Sequence, residues 1–179
     1  GPRPASIAIA AAYGVFTSPI EWIALSAASG ARLHIKAPSA GPDLCMALAC
    51  ALEEEGLPVT CSTAHDLGAP DAIVAFGSDR TMETLETAHP STHLCAYGHR
   101  FSVAITDGSS PAAIARDISA FDTRGCMAPV AVFVLGDVER FTESLAEELA
   151  SNQQTYPCGS TDPFLGPERR RRAMLAKAA

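Results

Sequence analysis

Short, continuous apolar runs alternate with helix-patterned segments along nearly the whole chain, and this alternation is what most restricts the fold. Ser6 to Ala12 (SIAIAAA), Arg32 to Lys36 (RLHIK), Pro58 to Ser62 (PVTCS), Asp71 to Phe76 (DAIVAF), His93 to Tyr97, Phe101 to Thr106 and Val130 to Leu135 (VAVFVL) read as strands. Ile20 to Ala28, Pro42 to Glu55, Asp79 to Ala88, Pro111 to Phe121, Asp137 to Ser151 and Glu168 to Ala178 read as helices. Pro42 and Pro111 sit where a first turn tolerates proline, and Gly30 and Gly56 sit where helices stop. Strands alternating with helices of about 10 to 14 residues imply right-handed βαβ units and a parallel sheet. Strands that are apolar throughout, instead of at every second residue, imply helices on both faces. The expected fold is therefore α/β, a mostly parallel, helix-covered, Rossmann-like sheet.

Composition excludes several alternatives. The chain has 179 residues, 47% of them hydrophobic, enough to fill a core. Gly and Pro, at 13 each, argue against a fibrous or disordered chain. A net charge of −7, from 20 acidic and 13 basic residues, disfavours binding to phosphate backbones, so no nucleic-acid partner is expected. The run Arg169-Arg170-Arg171-Arg172 reads as a solvated helix face. No apolar stretch approaches the roughly 18 residues of a membrane span. Gly1-Pro2-Arg3-Pro4 lacks the features of a secretory signal, and Gly1-Pro2 reads as a remnant of protease cleavage, so the natural start is expected elsewhere. Cysteines stand at 45, 50, 61, 95, 126 and 158 with no CxxC pair, and Cys45 and Cys50 are not spaced as zinc ligands. No metal is expected. Five of the six read as small apolar residues in a reducing, cytoplasmic compartment.

Two turns at expected strand ends carry suggestive chemistry, because open α/β sheets bind ligands at the carboxyl ends of their strands. Lys36-Ala37-Pro38-Ser39 follows RLHIK, and Lys36 can donate to ribose hydroxyls or to a 2′-phosphate. By residue type alone it reads as well as a solvated lysine. Phe76-Gly77-Ser78-Asp79 follows DAIVAF. Gly77 lets the backbone approach a ligand, and Ser78 can cap the next helix, whose terminal amides favour pyrophosphate. An ordinary helix cap is the plainer reading, and no GxGxxG is present.

Downstream lies Arg124-Gly125-Cys126-Met127-Ala128-Pro129. A cysteine between a glycine and a nearby proline, after two such turns, suggests covalent thioester chemistry beside a dinucleotide; a buried structural cysteine is the alternative. The order of these segments resembles the aldehyde dehydrogenase superfamily, and most closely its acyl-CoA reductase branch, the fatty-acid reductases of the bioluminescence type. GARLHIKAPSAGPDLCMALACALEEEGLP is similar to the superfamily segment in which a Lys-Pro-Ser-Glu run holds the adenosine ribose. Lys36 matches that lysine, and Ser39 falls where NAD-preferring members carry glutamate. Loss of that carboxylate implies NADPH over NADH. DAIVAFGSDRTMETL is similar to the Gly-Ser turn, which carries over Gly77 and Ser78, and FDTRGCMAP to the Gly-Cys-x-x-Pro segment, which carries over Cys126 as nucleophile. The resemblance implies an aldehyde dehydrogenase type fold, with a nucleotide-binding domain over residues 1–123 and a partial catalytic lobe over 124–179. It also implies NAD(P)H-dependent reduction of an acyl-CoA or acyl-carrier thioester to an aldehyde through an acyl-cysteine.

Three departures bear on this. The hydrolytic members carry a base in Leu-Glu-Leu-Gly-Gly, and the corresponding CAYGHRFS, residues 95–102, contains no carboxylate. That suits an acyl-enzyme that must survive until hydride arrives, and it disfavours a plain aldehyde dehydrogenase. His99 or Arg100 there is expected to contact cofactor or CoA phosphates, or His99 to donate a proton; a solvated turn is the alternative. The family's oxyanion-hole asparagine is matched by Thr17, whose hydroxyl is a shorter donor. Members also continue further on both sides, so the chain is expected to be an excised piece, a split enzyme or a reduced relative. The competing expectation is a degenerate dehydrogenase-like domain that only binds a nucleotide or a protein partner; a homo-oligomer fits either reading.

Overall fold

A computed structural model describes residues 3–13, 17–98, 100–120 and 127–155. The chain divides into two compact units, Gly1–Arg100 and Phe101–Ala179. The expected handover near Thr123-Arg124, the helix over Glu168 to Ala178 and the run Arg169 to Arg172 lie outside the described residues.

In the first unit β1 (Ser6–Ala10), α1 (Ile20–Ser29), β2 (Arg32–Lys36), α2 (Asp43–Glu54), β3 (Val59–Ser62), β4 (Ala72–Phe76), α3 (Asp79–Ala88) and β5 (His93–Tyr97) follow in order. The strands form one sheet in the order β3-β2-β1-β4-β5, and every neighbouring pair is parallel. The chain winds outward from β1 to β3, then returns to the other flank of β1. That reversal falls between β1 and β4, and the carboxyl ends of strands at such a reversal are where open α/β sheets hold ligands.

Burial on both faces explains the continuous apolar strands. Side chains alternate between faces: Ile7, Ile9, Leu33, Ile35, Val59 and Val74 pack with Ile23 of α1 and with Cys45 and Ala49 of α2. Ala8, Ala10, Ile73 and Ala75 pack with Met82 of α3 and with Leu67. The connection over 63–71 carries no helix, so Leu67 covers its part of that face. Gly30 closes α1 in the left-handed region (φ 77°), its N–H donating to the Ala27 carbonyl at 3.1 Å. An L side chain rarely adopts that backbone, which is why a glycine stands two residues before β2.

β1 is clasped to β4 at its start. The Asp71 carboxylate accepts from the Ala5 and Ser6 amides, both at 2.9 Å, and from the Ser6 hydroxyl at 3.1 Å. The Asp71 amide donates back to the Ser6 hydroxyl oxygen at 3.1 Å.

The second unit contains β6 (Ser102–Thr106), α4 (Pro111–Ser119), β7 (Pro129–Val134) and α5 (Val138–Thr155). β6 and β7 form a two-stranded parallel sheet, and Ile114 and Ala115 of α4 and Phe141 of α5 are buried. The expectation of an α/β fold with a parallel, helix-covered sheet holds, and a second, small sheet of two parallel strands accompanies it. β1 ends two residues earlier than the sequence suggests, at Ala10, and α5 continues to Thr155. The strands flanking Gly98 belong to different sheets. No helix among the described residues is long and apolar enough to cross a membrane.

The clasp predicts a pH signature. Hydrogen bonds from the Ser6 amide, the Ser6 hydroxyl and the Ala5 amide hold Asp71 below its ordinary value of 3.8. A folded value below the unfolded one makes its contribution complete above 3.8 and lost as pH falls through the depressed value. Asp71→Asn should lower the urea midpoint at neutral pH and flatten its decline below 3.8. Parallel acid limbs for the two proteins would exclude the clasp.

Candidate functional site

The strand ends of the first unit bring most of the sequence-selected residues to one edge. Lys36 is the last residue of β2. Its carbonyl accepts from the Ala11 amide at 2.9 Å, and the Ala37 amide donates to the Ser62 carbonyl at 2.8 Å, so both neighbouring strands pin the turn that follows. Ala37 and Pro38 are buried, Lys36 is half-buried and Ser39 is exposed. The turn thus anchors its middle and offers a cation and a hydroxyl.

β4 ends at Phe76, and the Gly77 amide donates to the Tyr97 carbonyl at 3.2 Å. Ser78 has extended backbone and caps α3: its Oγ accepts from the Thr81 amide at 3.2 Å and lies 2.9 Å from Thr81 Oγ1. Asp79, the first residue of α3, brings a carboxylate to the positive end of the helix dipole. A Cβ on Gly98 would lie 2.6 Å from Asp79 Oδ1. The contact is with the end of an exposed side chain, so the end of β5 runs beside the first turn of α3, within reach of the Asp79 carboxylate. Since β2 and β4 run parallel on either side of β1, Lys36, Ser39, Gly77 and Ser78 share the carboxyl edge.

Thr17 lies in the β1–α1 connection, which a parallel sheet places at the same edge. Its carbonyl accepts from the Ile20 amide at 3.1 Å and its side chain is exposed. Arg100 is exposed at the end of the first unit. His99, Gly125 and Cys126 lie outside the described residues. A cation, a capped helix start and two hydroxyls along a sheet edge suit a nucleotide laid across it: Lys36 and Ser39 toward the ribose, Gly77 and Ser78 toward the pyrophosphate.

The concave volumes of about 600 Å³ and about 430 Å³ lie elsewhere, one over β6 and α4 and the other beside the amino ends of β1 to β3. Neither is lined by Lys36, Ser39, Gly77 or Ser78. We favour the edge because its groups are charged or hydrogen-bonding and it lies at the reversal of strand order. Among the described residues no group of three or more His, Cys, Asp and Glu could hold a metal. Burial pushes the Cys45 thiol up, and burial followed by the nearby Cys45 does the same to Cys61, so neither favours the thiolate form.

Two features of the same unit escaped the sequence reading. Tyr97 stacks on Phe76, with ring centroids 4.9 Å apart and planes at 12°, and Trp22 of α1 meets it at 6.0 Å. On the same strand, Cys95 Sγ lies 3.7 Å from His93 Nε2. Both follow from the period of two along β5, which puts His93, Cys95 and Tyr97 on one face. The spacing was visible, but nothing in the sequence said that His93 and Tyr97 would be exposed at the sheet edge while Cys95 between them packs against the core under α1 and α2.

The family model for acyl-CoA reductase (LuxC) matches residues 63–165, more than half of the chain. The match takes in Gly77, Ser78, His99 and Cys126, whereas Thr17, Lys36 and Ser39 precede it. No curated protein matches the chain.

The cap makes a local prediction. Ser78→Ala should destabilise the protein by about 1 kcal/mol, the usual worth of such a cap, with faster amide exchange at Thr81. Unchanged exchange there would mean that the hydroxyl does not hold the turn.

Proposed function

The chain belongs to the acyl-CoA reductase (LuxC) family, and from that premise we propose that it reduces an acyl thioester to an aldehyde through an acyl group carried on Cys126. The observation that carries this reading is the shared carboxyl edge of Lys36, Ser39, Gly77 and Ser78 at the reversal of strand order. A dinucleotide fits it. Lys36 meets the ribose and, in NADPH, its 2′-phosphate; Ser39 adds no charge to repel that phosphate. The Ser78 hydroxyl and the first amides of α3 face the pyrophosphate. When bound, NAD(P)H supplies the hydride.

The protein's own groups do the rest. The Cys126 thiolate attacks the thioester carbonyl, the carbon–sulfur bond to the acyl carrier breaks, and the carrier leaves as a thiol. Gly125 leaves room for the acyl group. The Thr17 hydroxyl donates to the oxyanion in place of an amide, and His99 or Arg100 meets phosphate. Reduction of the acyl-cysteine gives a thiohemiacetal on Cys126, which releases aldehyde and returns the thiolate. Residues 95–102 contain no Asp or Glu, so no carboxylate there activates water against the acyl-enzyme. In this reading residues 1–123 hold the cofactor and 124–179 bring the thiol. The Thr17 hydroxyl, in place of an amide, favours the alternative of a domain that binds a nucleotide without turnover.

Two outcomes test the proposal. Lys36→Ala should weaken NADPH more than NADH, by roughly 10- to 100-fold, because a charged contact is worth about 1.5–3 kcal/mol; equal losses in titration calorimetry would remove the 2′-phosphate contact. With octanoyl-CoA and NADPH, the chain should release octanal and Cys126→Ser should not. Aldehyde release undiminished by that substitution would take the thiol out of the reaction.

A further inference from the structure

β5 sits at the edge of the sheet, and one of its faces carries chemistry that the proposed reaction does not use. His93, Cys95 and Tyr97 alternate along that face, each in register with Ala72, Val74 and Phe76 of β4. His93 is exposed, Cys95 half-buried and Tyr97 45% exposed. His93 Nε2 is 3.7 Å from Cys95 Sγ, within reach for a sulfur hydrogen bond. One step further along the strand, about 6.6 Å, Tyr97 stacks on Phe76 and meets Trp22. A thiol, a base touching it and an aromatic wall thus lie in line. The other described thiols are placed differently: burial disfavours the thiolate at Cys45 and Cys61, and Cys50 is exposed on α2.

We propose that Cys95, with His93 as its base and Trp22, Phe76 and Tyr97 as an apolar wall, is a second acyl acceptor that takes acyl groups from thioesters by exchange. The proposal rests on the acyl-thioester reading above. His93 Nε2, in the tautomer with the proton on Nδ1, takes the Sγ proton as sulfur attacks the carbonyl carbon. The new bond is Cys95 sulfur to acyl carbon. The bond that breaks joins acyl carbon to the carrier sulfur, and the proton passes from His93 to the departing thiolate. No oxidant or reductant is consumed. The acyl chain lies along the aromatic wall, where its methylenes leave water.

The test uses the whole chain, octanoyl-CoA without reduced cofactor, and peptide mapping by mass spectrometry. Cys126→Ser should form an octanoyl adduct on Cys95. Adding His93→Gln should slow that adduct at least about tenfold, because a positioned base typically contributes about 10²–10⁴-fold. Iodoacetamide serves as a second probe: Cys95 should alkylate about tenfold faster than Cys50, and His93→Gln should remove the difference while Cys50 stays unchanged. An adduct on Cys126 in the wild type with none on Cys95 in Cys126→Ser overturns this inference and leaves the proposed function standing. No adduct on any cysteine overturns both. A Cys95 adduct or alkylation rate indifferent to His93→Gln overturns the pairing.

Discussion

The hydrogen bonding of β1 on both sides is the constraint from which the rest follows. It pairs with β2 through Ser6 to Ala10 and with β4 through Ile7 to Ala10, which holds it in the middle of the sheet, where α1 and α2 cover one face and α3 and Leu67 the other. Ile9 and Ala8 are fully buried on opposite sides. Placing β4 beside β1, instead of beside β3, is what reverses the strand order. The Asp71 clasp holds this pairing at the amino end. The carboxyl end is left to Thr17, Lys36 and Ser78.

That geometry explains why the candidate cofactor residues are far apart in sequence. Lys36 ends β2 and Ser78 follows β4, strands separated along the chain by α2, β3 and a helix-free crossover, yet parallel pairing brings both strands' ends to the same edge. The turns are held by backbone hydrogen bonds running past the strand ends, from Ala37 to Ser62 and from Gly77 to Tyr97. Side chains exposed on pinned backbone are suited to binding, since little ordering remains to be done when a ligand arrives.

Much of the fold was legible because burial on two faces leaves a continuous apolar mark: SIAIAAA, RLHIK and DAIVAF all became central strands. Caps were legible for a similar reason, as Gly30 and Ser78 meet local needs of the backbone. Strand partners were not. Nothing in PVTCS says that β3 lies at an edge, and nothing in HLCAYGHRFS says that its two strands enter different sheets. The edge position of β5 hid the Cys95–His93 contact, because the sequence reading counted Cys95 among the apolar cysteines. Lys36, Gly77 and Ser78 were singled out from turn chemistry and Ser39 from the family resemblance; that they share one edge follows from topology.

A dinucleotide held at this edge, as proposed above, would show itself in amide chemical-shift mapping on titration with NADPH. The largest shifts should fall on the backbone from Lys36 to Ser39 and from Gly77 to Thr81, with little change at the amino ends of β1, β2 and β4, around Ser6, Arg32 and Asp71. Shifts concentrated at those amino ends, or no shifts at saturating NADPH, would contradict it.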